Sequence, residues 1–220
     1  MIWIPLAVLA VVSVTSWLVP LDLTISKPFY AGDRSWPIGE QPFWKFLHAY
    51  GTIPGIALGV IGLIALVAGF FSEKLRAWRL PSIFLMAAIL LGPVVVVNFI
   101  FKDHYGRPRP SQIAEFDGGT REYLPVLVPG KEKGGSFPSG HSSIGFFLFT
   151  PYFIFLGWRK RWAYAFLIGG LVYGAFMGLA RMLQGGHFLT DVVWAAGMVY
   201  LVDYALYYTL RLYRWRSTLS

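Results

Sequence analysis

Cysteine is absent from the 220 residues, which excludes disulfides, thiolate metal sites and cysteine nucleophiles and leaves no trace of a redox compartment. Charge is scarce too, at 14% of residues against 56% hydrophobic, a mixture too apolar for a soluble domain of this length. Acidic side chains are fewer than basic ones, with 11 Asp and Glu against 19 Lys and Arg. The resulting +8 raises nucleic acid as a partner, so its distribution has to be read first.

The hydrophobic residues fall into long runs. Crossing roughly 30 Å of hydrocarbon takes about 20 apolar residues in a helix. Six runs approach that length, at about 2–21, 50–71, 80–101, 142–158, 162–180 and 188–210. The expected architecture is therefore an all-α polytopic membrane protein in one domain, residues 1–220, with six transmembrane helices. The first run has no Lys or Arg before it, no small-residue cleavage site, and Trp3 and Trp17 near its ends, so it reads as a retained helix and not a secretory signal. No internal repeat, second soluble domain or low-complexity tail is visible, and nothing specifies an oligomeric state.

The net charge is confined to three short stretches. Lys74, Arg76 and Arg79 with Glu73 follow the second run, Arg159, Lys160 and Arg161 the fourth, and Arg211, Arg214 and Arg216 the sixth, which accounts for all of the +8. By the positive-inside rule both termini are cytoplasmic and the odd-numbered connections face outward. These cations sit beside Trp78, Trp158, Trp162 and Trp215 as interfacial anchors do, which argues against nucleic acid as a partner.

Three segments carry chemistry. The outward connection from Lys102 to Gly140 is too long for a turn. It opens with KDHYGRPRP, where Lys102 and Arg109 are anion-binding candidates and Arg107 a third cation nearby. It closes with FPSGHSS, which places Ser139, Gly140 and His141 at a helix N-terminus whose N–H groups attract anions. The plain alternatives are snorkelling for Lys102 and capping for Ser139. The third segment, ARMLQGGHFLTDV, supplies Arg181, then His187, then Asp191 four residues on. That spacing puts His187 and Asp191 on one helix face, where the carboxylate is expected to accept from one ring nitrogen and leave the other bare for attack. The bland reading is a buried His–Asp pair tying helices together, but ionisable groups at membrane depth are costly and usually functional. All three segments emerge on the outward side, and cations, backbone N–H groups and two imidazoles are what phosphoryl transfer needs.

Lys102 and Arg109-Pro110, Pro138 to His141, and Arg181, His187 and Asp191 resemble the three signatures of the type-2 phosphatidic acid phosphatase superfamily of integral-membrane lipid phosphatases. The one departure is Ala180, where the family usually has Ser. The resemblance implies a six-helix fold with an outward-facing site formed by the connections between helices three and four and between five and six. It implies catalysis by His187 as nucleophile, Asp191 as its orienting group and His141 as acid and base. Lys102, Arg109, Ser139, Gly140 and Arg181 would hold the phosphoryl oxygens, with no metal and no cofactor. The GRPRP and RMLQGGHFLTD forms look closest to bacterial lipid A phosphatases and phosphotransferases, which places the chain in the bacterial inner membrane with a phosphorylated lipid as substrate. Lipid A 1-phosphate is the favoured target, with phosphatidylglycerophosphate, phosphatidate and undecaprenyl diphosphate as others. Lipid-to-lipid phosphotransfer and a non-catalytic transporter or scaffold are the alternatives. Vanadate-dependent haloperoxidases share such an anion site but are soluble.

Between the first two runs, Phe43, Phe46 and Leu47 fall at i, i+3, i+4 and predict an amphipathic interfacial helix, with Trp36 and Trp44 nearby. His48 and His104 take structural readings by default.

Overall fold

The computed structural model describes residues 2–102 and 104–218, with the backbone alone for 216–218, so the side chain of Arg216 in the basic tail lies outside the described residues. Among these the chain is helical, with no strand beyond a single bridge between Ile113 and Arg121. Helix α1, Trp3–Leu18, stops before Pro20, and the chain turns by 90° into α2, Leu21–Ser26, which tightens into a turn over Lys27–Phe29. After an irregular stretch come α3, Pro42–Tyr50, and α4, Ile53–Phe71, which run together as one 30-residue apolar helix. Helix α5, Arg79–Ile89, continues as a wider π-helical winding over Leu90–Lys102. Pro93 inside that winding has no N–H to give, and Asn98 Nδ2 donates to its carbonyl at 2.6 Å.

Among the described residues four helical stretches are long and apolar enough to cross a membrane, 42–71, 73–102, 160–183 and 189–209, and the bent pair of α1 and α2 makes a fifth if it is taken as one span. The last two are α8, Lys160–Leu183, and α9, Leu189–Thr209; α6, Gly140–Phe146, and α7, Pro151–Phe155, precede them. The run expected to span at 142–158 is not one helix. It comprises α6, Gly140–Phe146, a tight turn over Phe147–Phe149, and α7, Pro151–Phe155. Pro151 removes the donor that a continuous helix would need there. Thr150, at the break, donates its hydroxyl to Asp203 Oδ2 at 2.7 Å, fastening the break to α9.

Small residues let these elements approach closely, as helices must in lipid. A Cβ on Gly174 of α8 would lie 2.1 Å from the Phe146 ring of α6. Helix α1 packs on α9, where Trp194 donates to Ser13 Oγ at 3.1 Å, and Trp17 reaches from α1 to the Val126 carbonyl of the long connection at 2.7 Å. The apolar residues left outside, such as Phe71, Val172 and Phe99, belong against lipid tails. Phenylalanines 84, 147 and 153 with Tyr207 and Trp215 fill one end of the core. Trp36, Ile113, Phe116 and Phe188 pack together beneath the irregular segments.

Candidate active site

The irregular segment after Lys102, the head of α6 and the turn between α8 and α9 converge on a buried polar cluster. At its centre is Arg107, which has no exposed surface. Its Nη2 pairs with Asp22 Oδ2 at 2.7 Å, its Nη1 donates to Thr190 Oγ1 at 2.8 Å and also contacts Asp191 Oδ1, and its Nε donates to the Leu124 carbonyl at 2.9 Å. The Phe188 ring covers the guanidinium at 4.6 Å. Burial alone would lower its pKa, but Asp191 and Asp22 outweigh that and hold it above the ordinary arginine range. Arg107 is thus a structural cation, not a third surface cation for an anion.

Asp191, three residues into α9, has its second oxygen engaged by the Ser136 hydroxyl at 2.6 Å and by the Phe188 N–H at 2.8 Å. His187, in the turn before α9, is 1% exposed, and its Nδ1 lies 2.6 Å from the Ser136 carbonyl. A carbonyl only accepts, so Nδ1 carries the hydrogen and a neutral His187 has a bare Nε2. The expected contact from Asp191 is longer, 3.8 Å from Oδ2 to Nδ1, beyond hydrogen-bond range. Ser136 links the two as well: Asp191 accepts from its hydroxyl, and its carbonyl holds the ring. Burial lowers the His187 pKa, and Asp191 offsets this in part.

The expected phosphate ligands gather around this centre. Lys102 lies over the head of α6: a Cβ on Gly140 would meet its Nζ at 3.0 Å, and Asn98 Oδ1 accepts from that ammonium at 3.4 Å. Ser139 stands at the N-cap position without capping; its hydroxyl bonds Ser142 Oγ at 2.8 Å, and its N–H donates to the Asp191 carbonyl at 3.2 Å. Ser111 N–H donates to the Gly185 carbonyl at 3.0 Å, tying the first segment to the third. Arg181, at the end of α8, is 8% exposed, and Arg109 lies close enough to act on its charge. Each has a buried Nε with no partner among the described residues. His141 is half-buried, and burial first, then the positive fields of Arg181 and Lys102, bring its pKa down to about 3. Among the described residues no three His, Asp or Glu side chains converge as a metal would require.

The model of the PAP2 superfamily matches residues 78–215, which include all three segments. The chain belongs to that superfamily. It is similar to a lipid A 4'-phosphatase of Francisella tularensis subsp. novicida, 37% identical over 199 residues that cover 88% of this chain and 89% of that protein. It is similar also to lipid A 4'-phosphatases of Rhizobium etli, 32% identical over 60% of this chain and 50% of that one, and of Rhizobium leguminosarum, 32% identical over 52% and 49%. No solved structure matches. The protein is a membrane lipid phosphatase, a phosphoric ester hydrolase of the PAP2 type.

Where PAP2 proteins usually have Ser before the arginine of the third signature, Ala180 is fully buried against Leu47 of α3 and Met177. Three buried polar residues of this PAP2 site were not singled out from sequence. Asp22 and Thr190 complete the cluster around Arg107, with Asp22 Oδ1 accepting from the Thr190 N–H at 3.0 Å, and Ser136 joins Asp191 to His187. His48, given a structural reading from sequence, has its ring centroid 4.7 Å from that of His141. A signal existed for Asp22: a carboxylate just past the Pro20 that ends an apolar helix. His104 stands apart, exposed, with its ring 6.5 Å from Phe99.

Proposed function

We propose that the protein removes a phosphate from lipid A in the bacterial inner membrane through a phosphohistidine on His187. The observation that carries this is the buried Nε of Arg109 and of Arg181, each without a partner among the described residues, together with an imidazole, His187, whose Nδ1 hydrogen is committed to Ser136. Buried donors without partners are costly, and a phosphoryl group satisfies both while spreading its charge over them. His187 Nε2 attacks phosphorus and the bond to the lipid oxygen breaks, that oxygen taking a proton from His141. Water then attacks the phosphohistidine, giving its proton to His141, and phosphate leaves. His141 is neutral in the unliganded site; the phosphate's negative charge offsets the surrounding cations and raises its proton affinity for the first step. Lys102, Ser139 and Gly140 contribute the remaining contacts to the phosphoryl oxygens.

The three relatives are named for the 4' position, so we take the 4'-phosphate as the first substrate in place of the 1-phosphate that the signature forms suggested. In the topology that supports this reading the basic stretches are cytoplasmic and both termini lie inside. The chain crosses six times, with the broken 142–158 segment as the fourth crossing, and the site opens on the periplasmic face. The test is phosphate release by the detergent-purified protein, with EDTA present, from lipid A phosphorylated at 4' alone and at 1 alone, beside His187→Ala. Release from the 4' form that the variant lacks, with an acid-labile phosphoenzyme trapped in wild type, is the expected result. Release that survives in His187→Ala overturns the nucleophile, and preference for the 1 form overturns the positional assignment.

A further inference from the structure

Helix α3 forms a wall of this site. Phe43, Phe46 and Tyr50 are exposed on its outer side, while Leu47 is buried on Met177 and Ala180 of α8. It is held at both ends: Gln184 Nε2 donates to the Gly39 and Trp44 carbonyls, each at 3.3 Å, and the Tyr173 hydroxyl donates to the Gly51 carbonyl at 2.9 Å. Between these anchors His48 is presented to the end of α8. Its Nε2 lies 3.1 Å from Arg181 Nη1, and its ring rests against His141.

A guanidinium only donates, so in this contact His48 Nε2 is the acceptor, Nδ1 holds the hydrogen and the ring is neutral. The same Nη1 also donates to Gln184 Oε1. Both hydrogens of Nη1 are thereby directed to His48 and Gln184. The edge of Arg181 that can grip two phosphoryl oxygens is then Nε with Nη2, and Nε is the buried donor without a protein partner. Room beside Nη2 comes from Gly186, where a Cβ would lie 2.4 Å away.

We propose that His48 is a positioning residue for phosphoryl transfer: by accepting from Nη1 it turns the Nε–Nη2 edge of Arg181 toward the phosphoryl group, and its ring backs His141. The inference rests on the phosphoryl-site reading above. It makes α3, an element outside all three signatures, part of the catalytic architecture, and couples the site to a helix whose outer face meets lipid.

Two variants of the full-length protein separate the roles. His48→Gln keeps an acceptor, whereas His48→Phe keeps the ring's packing against His141 and has none. Orthovanadate, which adopts the geometry of the phosphoryl transition state, is titrated calorimetrically, and phosphate release from lipid A is measured in parallel. His48→Phe is expected to weaken vanadate binding and lower kcat/KM on the order of ten- to a hundredfold, the scale of one hydrogen bond to a charged group, and His48→Gln to stay within a few-fold of wild type. In an Arg181→Ala background His48→Phe should add little, because its effect runs through that side chain. Wild-type vanadate binding and turnover in His48→Phe, or full additivity with Arg181→Ala, overturns the positioning role while the phosphatase reading stands. If wild type neither binds vanadate nor releases phosphate, the reading beneath it falls first.

Discussion

Arg107 holds two carboxylates in a place that water does not reach, and removing it leaves Asp22 and Asp191 buried and facing each other without a cation. Breaking a buried pair in that way costs about 3–5 kcal/mol, so Arg107→Leu is expected to lower the thermal midpoint in detergent sharply. Arg107→Lys should recover only part, since one ammonium cannot reproduce a fork that also reaches Thr190 and Leu124. His141 makes a second prediction at this scale. Its folded pKa of about 3 lies below the ordinary 6.5, so between those values the unfolded chain binds more protons. The stability it contributes is complete above about 6.5 and lost as the pH falls toward 3. His187, also lowered, acts in the same direction. Melting followed from neutral to acid pH should show the midpoint falling, with a shallower slope in His141→Gln.

Between α8, which ends just past Arg181, and α9 the chain has only five residues in which to reverse and place His187. Gly185 makes the reversal, at φ +62, and a Cβ there would lie 2.4 Å from the Trp36 indole. Gly185→Ala combines a left-handed backbone with a ring that packs among Ile113, Phe116 and Phe188, and is expected to cost more than about 1–2 kcal/mol and to reduce phosphate release. Gly169, in the same α8 with nothing within 4 Å of its Cβ position, is the control: Gly169→Ala should leave turnover unchanged and the melting midpoint no lower than wild type. The amphipathic helix expected near residue 43 exists as α3, but its faces divide differently. Phe43 and Phe46 point out and Leu47 points in, because α8 packs along only one flank. The fourth apolar run breaks at Pro151, and Asp203 accepts from Thr150 at that break.

Across the whole molecule, the basic stretches after α4 and α7 and at the tail mark one end, and the three signature segments gather at the other. Fusions carrying a reporter that works only in the cytoplasm should be active when joined at about residue 77 or at the C-terminus and silent when joined near residue 120. Activity near 120 would invert the topology and move the site to the cytoplasmic face. The end that carries the site is also where distant parts of the chain meet: Asp22 is 85 positions from Arg107, and Arg107 is 84 from Asp191.

Local chemistry determined much of this protein directly from its sequence. Long apolar runs can only be satisfied as helices in lipid, so the all-helical class was legible, and fixed spacings set Lys102, Arg109, His141, Arg181, His187 and Asp191 apart as candidates for one phosphate-handling set. Tertiary structure decided which partner each polar group takes, because that depends on contacts between residues far apart in the chain. Arg107 reads as one more surface cation until Asp22 and Asp191 close around it. Asp191 Oδ2 lies 3.8 Å from His187 Nδ1, while the hydrogen bond on that nitrogen goes to Ser136, 51 positions from the histidine. His48 carries no signature at all; only the docking of α3 on α8 brings its ring to Arg181 and His141.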